Sequence, residues 1–179
     1  MTYIALLRGI NVSGQKSIKM ELLRETFAAL GCENVQTYVQ SGNVVFSGDE
    51  NTLAAWASQI RARIKKDFGM DVFVLVKEPR ELAQIIAKNP FKKFDQANIY
   101  VSLFSSAPTK GAVKSLNDID TGKDQIKIVA ARAYLYCPNG YGRTKLNNNV
   151  LERKLGVQAT TRNWKTLNAL HSLVGAIPS

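Results

Sequence analysis

The chain has 179 residues, 45% of them hydrophobic and 21% charged, and a formal net charge of +10. This is a globular composition, sufficient for one ordinary domain or two small ones, and it excludes a disordered chain. No apolar run approaches the roughly 20 residues of a membrane span, and the opening MTYIALLRGI lacks the pattern of a secretory signal.

In chain order, TYIALL (2–7) is a short apolar run that stops at Arg8-Gly9, the mark of a buried strand. From Met20 the residues Leu23, Phe27 and Leu30 recur at helical spacing, and Gly31 supplies the stop. NVQTYV and NVVFS flank QSGN and predict a hairpin with Ser41-Gly42 near its tip. Leu53, Trp56, Ile60, Ile64 and Phe68 predict a second helix ended by Gly69, and DVFVLV (71–76) a fourth strand. Pro79 and Pro90 then bracket a connector helix over 79–89.

The same element order recurs. NIYVSLF (98–104) reads as a strand, residues 109–118 as a short helix, and QIKIV (125–129) with AYLYC (133–137) as a hairpin. A helix over 145–155, a short strand over 157–161 and a final helix over 163–175 complete the chain. The expected fold is therefore α+β, with two ferredoxin-like split β-α-β halves carrying antiparallel sheets. The expected boundaries are 1–78 for the first half, 79–97 for the connector and 98–179 for the second half with its extra helix. Right-handed crossovers give each half the strand order fourth, first, third, second.

Charge is unevenly placed: residues 1–78 balance at +1 and residues 79–179 at +9. A basic half points to phosphate-bearing or other acidic partners, although a soluble basic surface gives the same count. Within that half, NGYGRTK precedes one helix and ATTRNW the next, and the topology puts both at one sheet edge. Cations at a helix start are unfavourable by about 0.3–1 kcal/mol each unless an anion is present. Thr144 and Thr161 read as helix caps with hydroxyls to spare. Tyr141, Arg143, Thr144, Lys145, Arg162 and Asn163 are thus the candidate anion-binding residues, with Lys165 nearby, and Arg143 and Arg162 are expected to share one oxyanion. Neither a Walker loop nor a Rossmann fingerprint is matched. A second polar edge gathers Arg8, Asn11, Lys16, Gln40, Ser41 and Asn43, whose side chains equally suit bonding of their own turns.

No spacing marks a catalytic triad or carboxylate pair, and His171 reads as a surface or packing residue. Acidic residues are few near the basic edge, so a magnesium site has little support there. Cys32 and Cys137 read as reduced, buried thiols of a cytoplasmic protein, and one histidine without a CxxC pair gives no metal site. No cofactor is expected. IYVSLF and RAYLYC echo the two motifs of RNA-recognition modules, with Tyr100, Tyr134 and Tyr136 expected on the sheet face opposite the helices. Strands apolar on both faces argue that this face is covered.

The segments ALLRGINVSG, TYVQSGNVVF, NPF, YCPNGYGRTKL, LERKLGV and ATTRNWKTL resemble the bacterial domain-of-unknown-function family numbered 1697, over nearly the whole chain. Ser13 departs from it, since glycine is common there. The resemblance implies the same two-lobed fold and brings no activity, cofactor or site residue. The reading drawn is a cytoplasmic protein that binds a small anionic ligand at the 140–145/161–165 edge. The alternatives are a nucleic-acid-binding module and a protein-interaction or oligomerisation module.

Overall fold

The computed structural model describes residues 1–12, 14 and 17–177. The elements are β1 (Thr2–Leu7), α1 (Met20–Ala28), β2 (Glu33–Tyr38), β3 (Asn43–Ser47), α2 (Leu53–Phe68), β4 (Val74–Lys77) and α3 (Pro79–Ala87). They continue as β5 (Ile99–Phe104), α4 (Lys110–Lys114), β6 (Gln125–Val129), β7 (Arg132–Tyr136), α5 (Asn148–Leu155), β8 (Ala159–Asn163) and α6 (Trp164–Ala176). The strands form two antiparallel four-stranded sheets in the orders β2-β3-β1-β4 and β6-β7-β5-β8, as two split β-α-β halves require. The chain divides into two compact units, Met1–Ala87 with the stretch from Asn168, and Lys88–Leu167. The helix α3 thus belongs to the first unit.

In the first unit, β1 is hydrogen-bonded to β3 on one side and β4 on the other. Tyr3, Ala5 and Leu7 join Leu23, Phe27, Ile60 and Ile64 of α1 and α2 in one core. Phe46 is its centre, with ring centroids 5.5 Å from Tyr3, 5.2 Å from Phe27 and 5.3 Å from Trp56. Each such pair contributes about 0.5–1.5 kcal/mol beyond the area it buries. Ile4 and Leu6, on the other face of β1, are buried as well. The helix α2 starts at Thr52, whose hydroxyl accepts from Ala55 N at 3.1 Å, and ends at left-handed Gly69. The strand β4 begins at Val74 rather than Asp71, because β1 ends at Leu7, which pairs with Val74, and leaves 71–73 without a ladder.

In the second unit, Phe104, Ala133, Leu135 and Cys137 of the sheet side pack with Leu146, Leu151 and Leu155. The helix before β6 is short: α4 stops at Lys114 and the chain tightens into a 3-10 turn at Ser115–Asp118. The helix α5 starts at Asn148, three residues later than the periodicity predicts. Asn147 caps it, accepting from Val150 N at 3.1 Å, while Thr144 is extended, buried and bonded to Leu146 N. The last strand runs over 159–163, so the predicted end at Thr161 is two residues short.

Gly42 sits in the hairpin between β2 and β3 at φ 73°, and a Cβ there would lie 2.7 Å from Leu7 Cβ. Gly31 has φ 80° with open space around it. Gly31→Ala should therefore cost about 1–2 kcal/mol for the left-handed backbone, and Gly42→Ala about 1–3 kcal/mol more for overpacking. Urea denaturation of the two variants checks the difference.

Candidate functional site

The first polar edge forms, and its hydrogen bonds turn inward. Asn11, at φ 54°, donates from Nδ2 to the carbonyls of Ile18 (2.8 Å) and Gln40 (2.7 Å), and its Oδ1 accepts from Ile18 N at 2.7 Å. Asn43 is fully buried and donates to Tyr38 O (3.0 Å) and Ser41 Oγ (2.9 Å). Arg8 N donates to Phe73 O. Asn11, Gln40, Ser41 and Asn43 thus knot the loop after β1 to the β2–β3 hairpin, the structural role such residues favour in turns. Lys16 lies outside the described residues.

The second edge is sorted by strand register. Val101 of β5 stands opposite Tyr134 and Arg162, whereas Ser102 stands opposite Ala133 and Thr161. Paired residues share a face, so Thr161 and Arg162 project to opposite sides. Thr161 Oγ1 is 2.7 Å from Ser102 Oγ, donates to Asn148 Oδ1 at 2.6 Å and accepts from Tyr141 Oη at 3.2 Å. Tyr141 Oη in turn accepts from Asn148 N at 3.2 Å, at the start of α5. Arg162 is buried, and its guanidinium donates to Thr160 Oγ1 (2.8 Å) and Thr161 O (2.9 Å). Burial lowers its pKa to about 10, which leaves it protonated at neutral pH. Asn163 Oδ1 caps α6 by accepting from Thr166 N at 2.8 Å.

The expected convergence of Arg143 and Arg162 therefore gives way to a different grouping. Arg143 lies in a 3-10 turn at Tyr141–Arg143, exposed, and lines a cleft of about 290 Å³ with Lys145, Asn139, Asp120, Thr121, Gly122, Lys123 and Asp124. Lys145 Nζ is 3.7 Å from Asp120 Oδ2, an exposed and weak pair. Thr144 and Thr161 are not helix caps; Asn147 and Asn163 are. Two cations of the expected set reach the cleft, while Tyr141, Thr144, Arg162 and Asn163 serve internal bonds. Lys123, Asn139 and both aspartates are the residues the motif reading missed. The topology held the signal for them, because the start of β6 and the end of β7 share this edge. Among the described residues no group of His, Cys, Asp and Glu could hold a metal ion.

Tyr100 does not share the face of Tyr134 and Tyr136. It pairs with Leu135, so it lies on the helix side, with its ring 5.1 Å from Tyr141. Tyr134 is fully buried, and Tyr136 is half-buried. A larger open depression of about 800 Å³ on the first unit is lined by Glu33, Glu78, Pro79 and Arg80 among others. Its one arginine already pairs with Glu78 at 2.5 Å, which suits it poorly to an anion.

The family described as "Protein of unknown function (DUF1697)" matches residues 1–134. The chain belongs to this family. The match ends before the YCPNGYGRTKL segment, so the cleft at 139–145 lies beyond it. A solved structure, that of the conserved bacterial protein SP0830 from Streptococcus pneumoniae, is 20% identical with a TM-score of 0.73. It covers 97% of this chain and 98% of its own length, and it shares the fold. No curated protein matches the chain. No helix of the described residues is long and apolar enough to cross a membrane.

Thr161→Val keeps the shape of the side chain and removes the hydroxyl that Ser102, Tyr141 and Asn148 share. Urea denaturation should show a loss of about 1–3 kcal/mol, the cost of leaving the buried Ser102 hydroxyl and its half-buried neighbours short of a partner. Cys32 and Cys137 are free and buried, and burial pushes both thiols from 9.0 up to about 11. The unfolded chain releases these protons at lower pH than the native chain, so stability should fall as pH rises from about 9 to about 11. Cys32→Ala/Cys137→Ala should flatten that fall in denaturant midpoints measured across this range.

Proposed function

We propose that this family member is a binding protein for a small anionic ligand, phosphate- or carboxylate-bearing, held in the cleft between the 120–124 loop and the 139–145 segment. One observation carries the reading: Arg143, Lys145 and Lys123 come from segments about twenty residues apart and line the same cleft. The surrounding field supports it. Residues 88–167 carry 14 Lys/Arg against 5 Asp/Glu, a balance of +9, so nearly all of the chain's net charge sits on this unit. Asp120 and Asp124 stand in the same wall and temper the cations. They also offer acceptors to hydroxyl or amino groups beside the anionic group of a ligand.

Inorganic phosphate and pyrophosphate are the first probes, read by the shift in thermal midpoint at low salt. Protection should weaken as salt rises, since screening reduces the electrostatic part. Arg143→Leu/Lys145→Leu should abolish it with little loss of stability in the absence of anion, because both side chains are exposed. Asp120→Asn should strengthen it, because that carboxylate competes for Lys145. Absence of protection in the unaltered protein, or equal protection in the double variant, would overturn the reading.

A further inference from the structure

Phe94 is the one exposed aromatic side chain among the described residues, at 37%. It is held in place. Its ring centroid lies 4.5 Å from that of Tyr136 and 5.5 Å from that of Phe91, which it meets edge-on at 89°. The turn that carries it is pinned by Gln96, whose Nε2 donates to Phe94 O at 2.7 Å and shares its second hydrogen between Phe91 O (3.2 Å) and Lys92 O (3.3 Å). Phe94 N closes the turn on Phe91 O at 3.0 Å. The sequence thus spends a fixed turn on keeping a ring partly in water, where burial would be favourable.

Lysines neighbour this ring in sequence and in strand register. Lys92 and Lys93 precede it and are exposed. Gln125 stands opposite Tyr136 and Lys127 opposite Tyr134, so Tyr136, Gln125 and Lys127 project from one sheet face, with Gln125 and Lys127 exposed on the edge strand. The acidic residue of the turn, Asp95, accepts from Ala97 N at 3.0 Å. The unit as a whole carries +9.

We infer that Phe94 and Tyr136, flanked by Lys92, Lys93 and Lys127, form a stacking surface for single-stranded nucleic acid. The charge selects a polyanion, and the rings select one with flat faces to stack. Bases of a single strand offer such faces, whereas a duplex hides them against each other. The lysines take backbone phosphates on either side of the aromatic step. None of these residues lines the cleft, and the inference does not rest on anion binding there.

The test is fluorescence anisotropy of a labelled single-stranded RNA and DNA of about twelve nucleotides, within the span one such module covers. Binding should weaken steeply as salt rises. Lys92→Ala/Lys93→Ala should lower the slope of log K against log salt by about 1.4, the single-strand value for two phosphates. Phe94→Ala should weaken binding by about tenfold, the loss of one stacked base. Phe94→Leu keeps an apolar contact with Phe91 and Tyr136. The same loss in this variant, with an unchanged thermal midpoint, assigns the effect to the ring rather than to folding. Absence of binding at low salt, binding indifferent to both Phe94 variants, or equal affinity for a duplex or for polyglutamate would each overturn the inference. Phosphate protection at the cleft with no oligonucleotide binding would defeat this inference and leave the proposed function standing.

Discussion

The ladder around β5 is the constraint on which the chemistry of the second unit depends. A strand sends successive side chains to opposite faces, and β5 is hydrogen-bonded on both sides, so its register fixes the face of every residue in β7 and β8. Val101 and Ser102 are neighbours in sequence, yet they preside over different surfaces. Arg162 falls on the side of Val101 and Tyr134, and Thr161 on the side of Ser102. A one-residue slip would exchange them. It would put a guanidinium among Ser102, Tyr141 and Asn148 and break a closed set of hydroxyl bonds. The apolar core beside that set, with Leu135, Cys137 and Leu146 fully buried, holds the register against such a slip.

Polar residues in the two units follow the same accounting and reach different ends. At the first unit's edge, Asn11 and Asn43 bond carbonyls of neighbouring turns and so stiffen the loop after β1 against the hairpin. Unpaired backbone groups near a core cost more than such bonds contribute, which is why short amide side chains occupy these places. At the second unit's edge the amides again go to backbone, with Asn147 and Asn163 capping α5 and α6. The cations Arg143, Lys145 and Lys123 are left in the solvent-facing wall of the cleft, where they escape the desolvation penalty of a buried charge.

The separation of charge between units adds a longer-range effect. A unit of 80 residues with a balance of +9 sets up a positive potential that raises the local concentration of anions and speeds their encounter, more so at low ionic strength. The match over residues 1–134 shows the family, and the likeness to SP0830 shows the fold. Neither assigns a reaction, so function has to be argued from the side chains of this chain.

The sequence by itself determined the elements, their order and both sheet topologies, because apolar periodicity, glycine stops and the handedness of crossovers are local or nearly local properties. Strands at 2–7, 43–47 and 125–129 and the helix at 53–68 fall where the periodicity puts them. Of the expected basic edge, Arg143 and Lys145 line one cleft, while Arg162 and Asn163 make internal bonds. What only the tertiary structure decided is which side chains meet. Tyr100 faces the helices because it pairs with Leu135, and Arg162 shares a face with Tyr134, opposite to Thr161, because it pairs with Val101. Asn147 rather than Thr144 caps α5: the helix begins at Asn148, and Asn147 Oδ1 accepts from Val150 N. Each of these depends on interstrand register or on competition between neighbouring caps. Those are fixed by packing over long sequence separations and leave no periodic trace in the residues themselves.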